Sequence, residues 1–409
     1  MILEDQDIAD LEVYLHLERY VNRGSPSGFS DVNTTSPGTS AKGSERGFHL
    51  PSVEFPSTVE CVEYGLAPSF LPSGYLPLHP DMMSNDSFKR CTTVNREFRF
   101  VSPTASERTV MDRSGDGWFY KLSYNELIGR APRLITTQHA QSAVEVTSFI
   151  SSAIQAQTLP RGLYFMRETF GRVFKVPNSG RLDEWGVVLR EPRPYPHEPT
   201  IKLLLPAFAA FSKDSQSPND ALILHQLYER QSKSIEDFLF EDLIAPVYDC
   251  YFSLLQNCGM QIEAHAQNIM FALDGSLQIR GVVIRDAESV DKDFSLIETL
   301  GLAINPTETD YKCLRLGQYN YHIMHSFMFD FKLGEYLVSP LIECAADKYD
   351  VNRSTLVERI KKHNATHLEK LPHDFFPSDS KWYSYENVVH TPGARRQYTA
   401  HDCPKYRFT

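Results

Sequence analysis

The chain has 409 residues, enough for two or three domains, and its 42% hydrophobic and 12% aromatic content is that of a globular protein. A formal net charge of −11 argues against nucleic-acid binding, which requires a basic face. No window approaches the roughly 18 uninterrupted apolar residues of a membrane span, the acidic start lacks the basic region of a signal peptide, and seven scattered cysteines form no Cys-x-x-Cys pair, so we expect a cytoplasmic protein without a membrane partner.

The first half of the chain is predicted to be rich in β-structure, after a short helix and a linker. Residues 7–22 carry apolar side chains at helical spacing, and residues 23–45 are dense in Ser, Gly, Thr and Pro, which is typical of a flexible linker. Residues 50–205 alternate short β-type runs with turns, and the clearest of these runs are 98–101, 117–122 and 185–190.

The second half is predicted to be mostly helical, with one hairpin. Residues 235–255 have apolar residues at helical spacing, and Gly259 falls where a helix often ends on a glycine. Residues 268–273 and 277–284 flank Asp274-Gly275, a strong hairpin signal. Residues 351–363 are predicted to form an amphipathic helix, with Asn352 or Ser354 as its cap.

The hairpin brings two polar segments together. Glu263, His265, Gln267 and Asn268 lie just before it, and its second strand returns Asp286 towards Asn268. If residues 263–267 are extended, the first three of these side chains share one face. Such groups can hold a divalent cation and a polyphosphate. An unpaired buried charge costs about 3–5 kcal/mol, so we expect a cation or a basic group beside them. A lone Glu or His before a strand is usually a solvated or hydrogen-bonded structural residue, so the expectation depends on the whole group.

A second polar group lies in the β-rich half. Ser106, Arg108 and Thr109 supply two hydroxyls and a guanidinium within four residues, Lys121 follows on a predicted strand, and Arg133 comes twelve residues later. Arginine binds phosphate or carboxylate oxygens with two hydrogen bonds, while lysine acts as a point charge. The alternative is an exposed strand edge with ordinary surface charges.

The order of these motifs resembles the IucA/IucC family of NRPS-independent siderophore synthetases. Seven pieces carry the resemblance, in chain order: Pro77-Leu78-His79-Pro80, Ser106-Glu107-Arg108-Thr109, Tyr120-Lys121-Leu122-Ser123, Arg133, Leu189-Arg190-Glu191-Pro192, Glu263 to Asn268, and Arg285-Asp286. The last two pieces together are the most specific.

The resemblance implies an α+β cradle and an ATP-dependent carboxylate ligase. The expected parts are an N-terminal helix and linker (1–49), a β-rich fingers domain (50–215), and a mostly helical palm domain with a kinase-like catalytic hairpin (216–409). Such an enzyme activates a citrate-like or other carboxylic acid as an acyl adenylate with ATP and Mg²⁺. An amine or alcohol then displaces AMP to give an amide or ester. A homodimer is also expected by resemblance.

The resemblance also implies a role for each residue of the two polar groups. The phosphates of ATP would be held by Ser106, Arg108, Thr109, Lys121 and Asn268. The metal ligands would be Glu263, Gln267, Asn268 and Asp286, which offer the hard oxygen atoms that Mg²⁺ prefers. His265 and Arg133 would bind and orient the carboxylate, and with Lys121 they form the predicted catalytic set.

The chain departs from the family pattern at several positions. No His-Pro-x-His-Pro-x-x-Lys motif precedes residue 77, so we expect a shortened form without most of the N-terminal thumb region. Asp81 and Met82 stand where members commonly have Trp and Gln, Gly129 replaces a frequent threonine, and Ala266 replaces a glycine. These changes concern substrate contacts more than the nucleotide set, so the identity of the acid stays open.

Two other functions fit parts of the sequence. The segment 263–286 also resembles the catalytic segment of small-molecule kinases, since it has an acid at position 263, then Asn268, then a hairpin followed by Asp286. No Gly-rich phosphate loop precedes this segment. The missing thumb region also fits a non-catalytic relative of these synthetases that binds nucleotide without turnover.

Overall fold

The structure, a computed structural model, describes residues 11–22, 47–88, 93–113, 117–128, 131–178, 181–302, 312–372, 374–385 and 398–409. The predicted linker 23–45 and Gly129 lie outside these residues. The strands are β1 Phe48–Glu54, β2 Glu60–Gly65, β3 Tyr75–Pro77, β4 Thr93–Pro103, β5 Thr109–Asp112, β6 Phe119–Leu122, β7 Tyr124–Ile128, β8 Ala131–Arg133, β9 Leu163–Phe165, β10 Glu168–Asn178, β11 Arg181–Arg190, β12 Ile201–Pro206, β13 Met260–Gln261, β14 Ile269–Asp274, β15 Ile279–Ile284, β16 Asp291–Asp293, β17 Cys313–Leu314, β18 Lys381–Ser384 and β19 Thr399–Asp402.

Helices dominate the second half of the chain. They are α1 Leu11–Tyr20, α2 Thr137–Gln155, α3 Ala207–Ala210, α4 Ile223–Tyr228, α5 Ile235–Asp237, α6 Ala245–Cys258, α7 Phe294–Leu300, α8 Tyr321–Ser326, α9 Ser339–Ala346 and α10 Arg353–Leu368. Short 3₁₀ helices span Pro80–Ser84, Asp86–Phe88 and Ala287–Ser289, and π-helical stretches span Phe238–Ile244 and Phe327–Val338. Among the helices of the described ranges, none is long and apolar enough to cross a membrane.

An antiparallel sheet forms most of the first half of the described chain. Its eight strands are ordered β2-β10-β11-β6-β5-β4-β1-β3. One face carries an aromatic core that includes Tyr120, Phe174 and Trp185. Helix α2 packs on the other face, where Ala140 Cβ lies only 2.8 Å from the position a β-carbon would take on Gly171 of β10. A side chain at Gly171 would therefore push the helix off the sheet.

The predicted hairpin forms the centre of a second sheet. Strands β14 and β15 pair antiparallel, β12 adds to β14, and β9 pairs parallel with β15. Because β9 and β12 precede residue 215, this sheet includes strands from both sides of the predicted domain boundary. The buried residues Val13, Leu15 and Leu17 of α1 join the surrounding cores.

The segment before the hairpin begins where the sequence predicts. Helices α5 and α6 and the π-helical stretch between them make one helical segment from Ile235 to Cys258. It ends at Gly259 in the left-handed conformation, with φ of 60°. The short strand β13 follows directly and leads the chain into the polar segment 263–268.

Candidate active site

The register of the large sheet places four polar side chains on one face. Thr109 of β5 is directly opposite Lys121 of β6, and Glu168 of β10 is directly opposite Arg190 of β11. Lys121 itself is opposite Val188, two residues before Arg190. Since opposed residues share a face and side chains alternate along a strand, all four point to the face that also carries α2.

The end of the hairpin brings carboxylates to this face. Asp286 follows β15 in a left-handed backbone conformation (φ 76°), and Glu288 lies in the next turn of 3₁₀ helix. Lys121 Nζ forms an ion pair with Asp286 and lies 2.7 Å from Glu288 Oε2 and 4.0 Å from Glu168 Oε1. One buried ammonium group is therefore within reach of three carboxylates from two different parts of the fold.

Further cations surround these carboxylates. Arg190 Nη2 lies 2.6 Å from Glu168 Oε1 and 3.8 Å from Asp286 Oδ1. Arg108 Nη2 lies 3.6 Å from Glu288 Oε2. We call Arg108, Lys121, Glu168, Arg190, Asp286 and Glu288 the central cluster. Its three cations and three carboxylates balance, which is what burial requires.

The charges of the central cluster stabilise one another against burial. Burial alone would lower the pKa of Lys121, but Asp286, Glu168 and Glu288 together raise it above its usual value. Burial likewise disfavours the charged forms of Asp286 and Glu288, yet Lys121 holds the pKa of both carboxyls below their usual range. All three groups are therefore charged at neutral pH.

A second group of side chains lies beside the central cluster. Lys332, fully buried on the π-helical stretch, lies 2.6 Å from Glu263 Oε1, and its ammonium group is 5.4 Å from the centre of the Phe327 ring. His265 Nε2 is 3.9 Å from Glu263 Oε1. The amide of Arg285 donates to the carbonyl of Asn268 at 3.0 Å, which joins this group to the end of the hairpin.

Residues 265–268 form a turn, so the conditional expectation of an extended segment with three side chains on one face is wrong. Gln267 N donates to His265 Nδ1 at 3.2 Å, and the Asn268 side chain donates to the Glu263 carbonyl at 3.1 Å. These local bonds from polar side chains compete with an extended backbone and favour the turn.

The environment of His265 fixes its protonation. Burial lowers the pKa of His265 to about 4, although Glu263 opposes this shift, so the ring is neutral at neutral pH. Because Nδ1 accepts a hydrogen bond from Gln267, the hydrogen of the neutral ring is on Nε2. His265 can therefore donate a hydrogen bond from Nε2, but it cannot neutralise an acidic substrate.

Some of the predicted site residues lie at or next to the central cluster, and others do not. Arg108 and Lys121 reach Asp286 or its neighbour Glu288, and Asn268 is held next to them through the backbone of Arg285. The hydroxyl of Ser106 accepts from the amide of Thr109 at 3.2 Å.

Three of the predicted residues bind groups outside the central cluster: Arg133 and Glu263 through their side chains, and Gln267 through its backbone carbonyl. Arg133 donates to the carbonyl of Ile128, while its own carbonyl accepts from Arg108. The Gln267 carbonyl accepts from Arg285 Nε at 2.6 Å. Glu263 pairs with Lys332, outside the central cluster.

Sequence reasoning missed several ionisable residues of the site: Glu168, Glu288, His139, Lys332 and Glu18. Glu288 is two residues after Asp286 and could have been found by asking which carboxylates follow the hairpin. His139, whose Nε2 is 3.8 Å from Glu288, lies on α2. Glu18 of α1 is fully buried and binds Arg285 at 2.6 Å across 267 positions. A contact between residues so far apart in the chain leaves no local pattern in the sequence.

A comparison with protein-family models matches residues 89–239 to the IucA / IucC family. The resemblance inferred from the motifs is therefore confirmed over this range, which is less than half of the chain. The range holds Ser106, Arg108, Thr109, Lys121 and Arg133, whereas the segment from Glu263 to Asp286 lies beyond it. No curated protein sequence matches the chain significantly.

Solved structures share the fold. The ATP-bound aerobactin synthetase IucA from Klebsiella pneumoniae is 13% identical, with a TM-score of 0.67, covering 89% of this chain and 70% of that one. The petrobactin biosynthesis protein AsbB from Bacillus anthracis is 14% identical, with a TM-score of 0.65 and coverage of 88% and 68%. The aerobactin synthetase IucC from K. pneumoniae is 15% identical, with a TM-score of 0.58 and coverage of 79% and 63%. The predicted α+β fold of these synthetases is thus confirmed.

Proposed function

We propose that the chain is an ATP-dependent ligase that activates a di- or tricarboxylic acid as an acyl adenylate and joins it to an amine or alcohol. The observation that carries the proposal is the convergence of Lys121 with Asp286 and Glu288. Cations from the large sheet and carboxylates from the hairpin meet at one place, as binding a metal–polyphosphate requires. The likeness to a synthetase described as ATP-bound supports the choice of nucleotide.

The cations of the central cluster suit the phosphates. Lys121 and Arg108 would neutralise charge that develops on the phosphate oxygens, and fixed charges in a dry site usually give the largest single catalytic effect. Thr109 is directly opposite Lys121 in the sheet and offers a hydroxyl on the same face. Ser106 would act mainly by holding the turn that presents Arg108 and Thr109.

The oxygen atoms at the end of the hairpin suit Mg²⁺. Asp286 and Glu288 are charged, and Asn268 uses its amide nitrogen on the Glu263 carbonyl, which leaves its amide oxygen as the end for a metal. Gln267 and Glu263 would lie further out, because Glu263 is already paired with Lys332. When bound, Mg²⁺ would supply charge neutralisation to the phosphates.

The acid would bind on the side of His265. A neutral ring that donates from Nε2 can orient a carboxylate oxygen, while Lys332 supplies positive charge on this side of the site. Arg133 would approach the acid from the side of Arg108, which donates to its carbonyl. The carboxylate oxygen attacks the α-phosphorus and pyrophosphate leaves. The amine or hydroxyl then attacks the acyl carbon, loses its proton, and AMP leaves. No enzyme nucleophile is needed. The folds of aerobactin and petrobactin proteins support a role in siderophore or related secondary metabolism.

The test is the nucleotide product. The protein is incubated with Mg²⁺, ATP and a panel of di- and tricarboxylic acids, with hydroxylamine to trap an activated acid. We expect acid-dependent AMP, pyrophosphate and a hydroxamate. ADP would instead favour the kinase-like alternative, and bound ATP without any product would favour a non-catalytic protein.

One pair of variants on the same hairpin sharpens the test. Asp286→Asn should lower the rate by roughly 10²–10³, as loss of one electrostatic contact in such a site does. Asp274→Asn, at the opposite end of the hairpin where Asp274 pairs with Arg280, should keep the wild-type rate. Equal rates for wild type and Asp286→Asn would refute the site assignment.

A further inference from the structure

Two histidines and one aspartate form a compact group on the surface of the helical half. His363 and His367 are one turn apart on α10, so both rings project from the same side of that helix. Asp249 lies on the neighbouring helix α6. Its Oδ1 atom is 2.9 Å from His363 Nε2 and 2.8 Å from His367 Nε2.

The two rings are held by their packing. The His367 ring stacks on Phe252 with an angle of 4° between the planes and 4.9 Å between the ring centres. The His363 ring meets Phe240 edge-on at 5.5 Å. The carbonyl of His367 accepts from Gln256 of α6 at 3.1 Å, which fixes the two helices against each other. The donor atoms are thus in place before any ligand arrives.

We propose that Asp249, His363 and His367 bind a Zn²⁺ ion that bridges α6 and α10. Two imidazole nitrogens and one carboxylate oxygen are typical zinc ligands, whereas Mg²⁺ prefers oxygen alone. The three donor atoms lie within 4.8 Å of one another. Zinc bonds of about 2.0–2.2 Å in a tetrahedron put ligand atoms about 3.3 Å apart, so only a small outward movement is needed.

The exposure of the group leaves room for a fourth ligand. The side chains of Asp249, His363 and His367 are 41%, 24% and 13% exposed. A water molecule can therefore complete the tetrahedron, as in zinc sites with three protein ligands. His367 Nδ1 is buried and has no hydrogen-bond partner among the described residues. Because such outer partners strengthen zinc binding roughly 10–100-fold, we expect micromolar rather than nanomolar affinity.

The full-length protein tests this directly. After treatment with a chelator and its removal, Zn²⁺ binding is titrated against a chromophoric zinc indicator, and thermal unfolding is followed with and without Zn²⁺. We expect one zinc ion per chain and a higher Tm with zinc. In His363→Gln the glutamine keeps a hydrogen-bond donor for Asp249 but is a poor zinc ligand. Loss of an outer partner of a ligand weakens binding roughly 10–100-fold, and this loss of a ligand itself should weaken zinc binding by more than that. His367→Ala should do the same.

Two controls separate this site from other zinc-binding groups. His197→Ala removes an exposed histidine and should bind zinc as wild type does. Asp286→Asn alters the candidate active site and should also leave this zinc ion in place, so failure of one proposal does not imply failure of the other. Absence of stoichiometric zinc, or equal binding by wild type and His363→Gln, would overturn the proposal and leave a purely hydrogen-bonded contact between two helices.

Discussion

Lys121 illustrates how far a single residue could be predicted. Its position on a strand was predicted from the β-type run 117–122, and a role near phosphates is what the motif order implies. Its contact with Asp286 was not predicted, although the resemblance assigned both residues to the binding of ATP and Mg²⁺. Its contacts with Glu168 and Glu288 were not predicted either, because a carboxylate on another strand or turn looks like a surface charge in a sequence.

His79 gives a prediction at the residue scale. It caps the 3₁₀ helix Pro80–Ser84 by accepting from the amide of Asp81, and burial lowers its pKa to about 4. Below pH 6.5 the unfolded chain protonates this ring while the folded protein does not. As the pH is lowered from 6.5, the free energy of unfolding therefore falls by about 1.4 kcal/mol per pH unit, and this loss ends near pH 4.

The variant His79→Asn isolates this effect, because asparagine can cap the turn and does not titrate. Between pH 7 and pH 5, wild type should lose about 2 kcal/mol more stability than the variant, measured by urea unfolding. The exposed His197→Asn variant should follow wild type. Parallel losses in wild type and His79→Asn would mean that His79 is protonated in the folded state.

At the scale of the elements, local signals were reliable. The hairpin formed where Asp274-Gly275 predicted it, with Asp274 Oδ1 accepting from two backbone amides of the turn. The cap at Asn352, whose side chain accepts from the amide of Thr355, was predicted as well. The turn at residues 265–268 was not predicted, since it depends on hydrogen bonds between side chains and backbone rather than on a periodic pattern.

Gly259 gives a prediction for the junction between α6 and β13. A β-carbon at Gly259 would lie 2.3 Å from Ile297 Cγ1, whereas one at Gly301 would contact no described residue within 4 Å, and both glycines have φ near 60°. Gly301→Ala should therefore cost only the backbone strain, about 1–2 kcal/mol. Gly259→Ala should cost about 1–3 kcal/mol more because of overpacking.

Urea unfolding of both variants measures the difference. In an Ile297→Ala background, Gly259→Ala should cost less than it does in wild type, since the atoms that clash are absent. If the two glycine variants are equally stable, the contact with Ile297 adjusts freely and the prediction fails.

At the scale of the whole molecule, the fold class followed from the sequence but the arrangement of sheets did not. The predicted division at 215/216 stays a prediction, and one sheet joins β9 and β12 to the hairpin across it. Pairing between strands whose partners are more than 60 positions apart is set by packing, which no local pattern records.

The long-range contact of α1 gives a prediction at this scale. Glu18 is fully buried against Arg285, the residue before Asp286, so Glu18→Gln leaves a buried guanidinium without its counter-charge. We expect a loss of about 3–5 kcal/mol in the free energy of unfolding. Glu12 on the same helix is half exposed in its ion pair with Arg113, and Glu12→Gln should cost under about 1 kcal/mol.

Denaturant unfolding of the two variants tests whether the contact of α1 with Arg285 stabilises the fold. Glu18→Gln should also lower the rate of any ATP-dependent reaction, because Arg285 positions the backbone at the end of the hairpin. Equal stability of both variants would show that the Glu18–Arg285 pair does not stabilise the fold.

The separation of Lys121 and Asp286 by 165 positions has a consequence for biosynthesis. Ribosomes add about 5–20 residues per second, so the strand with Lys121 leaves the ribosome roughly 10–30 s before its main counter-charge. During that interval the face of the large sheet with Lys121 and Arg108 cannot be sealed without leaving these two cations short of the carboxylates that pair with them. The nascent chain must therefore keep this face hydrated or covered by a chaperone until the hairpin arrives.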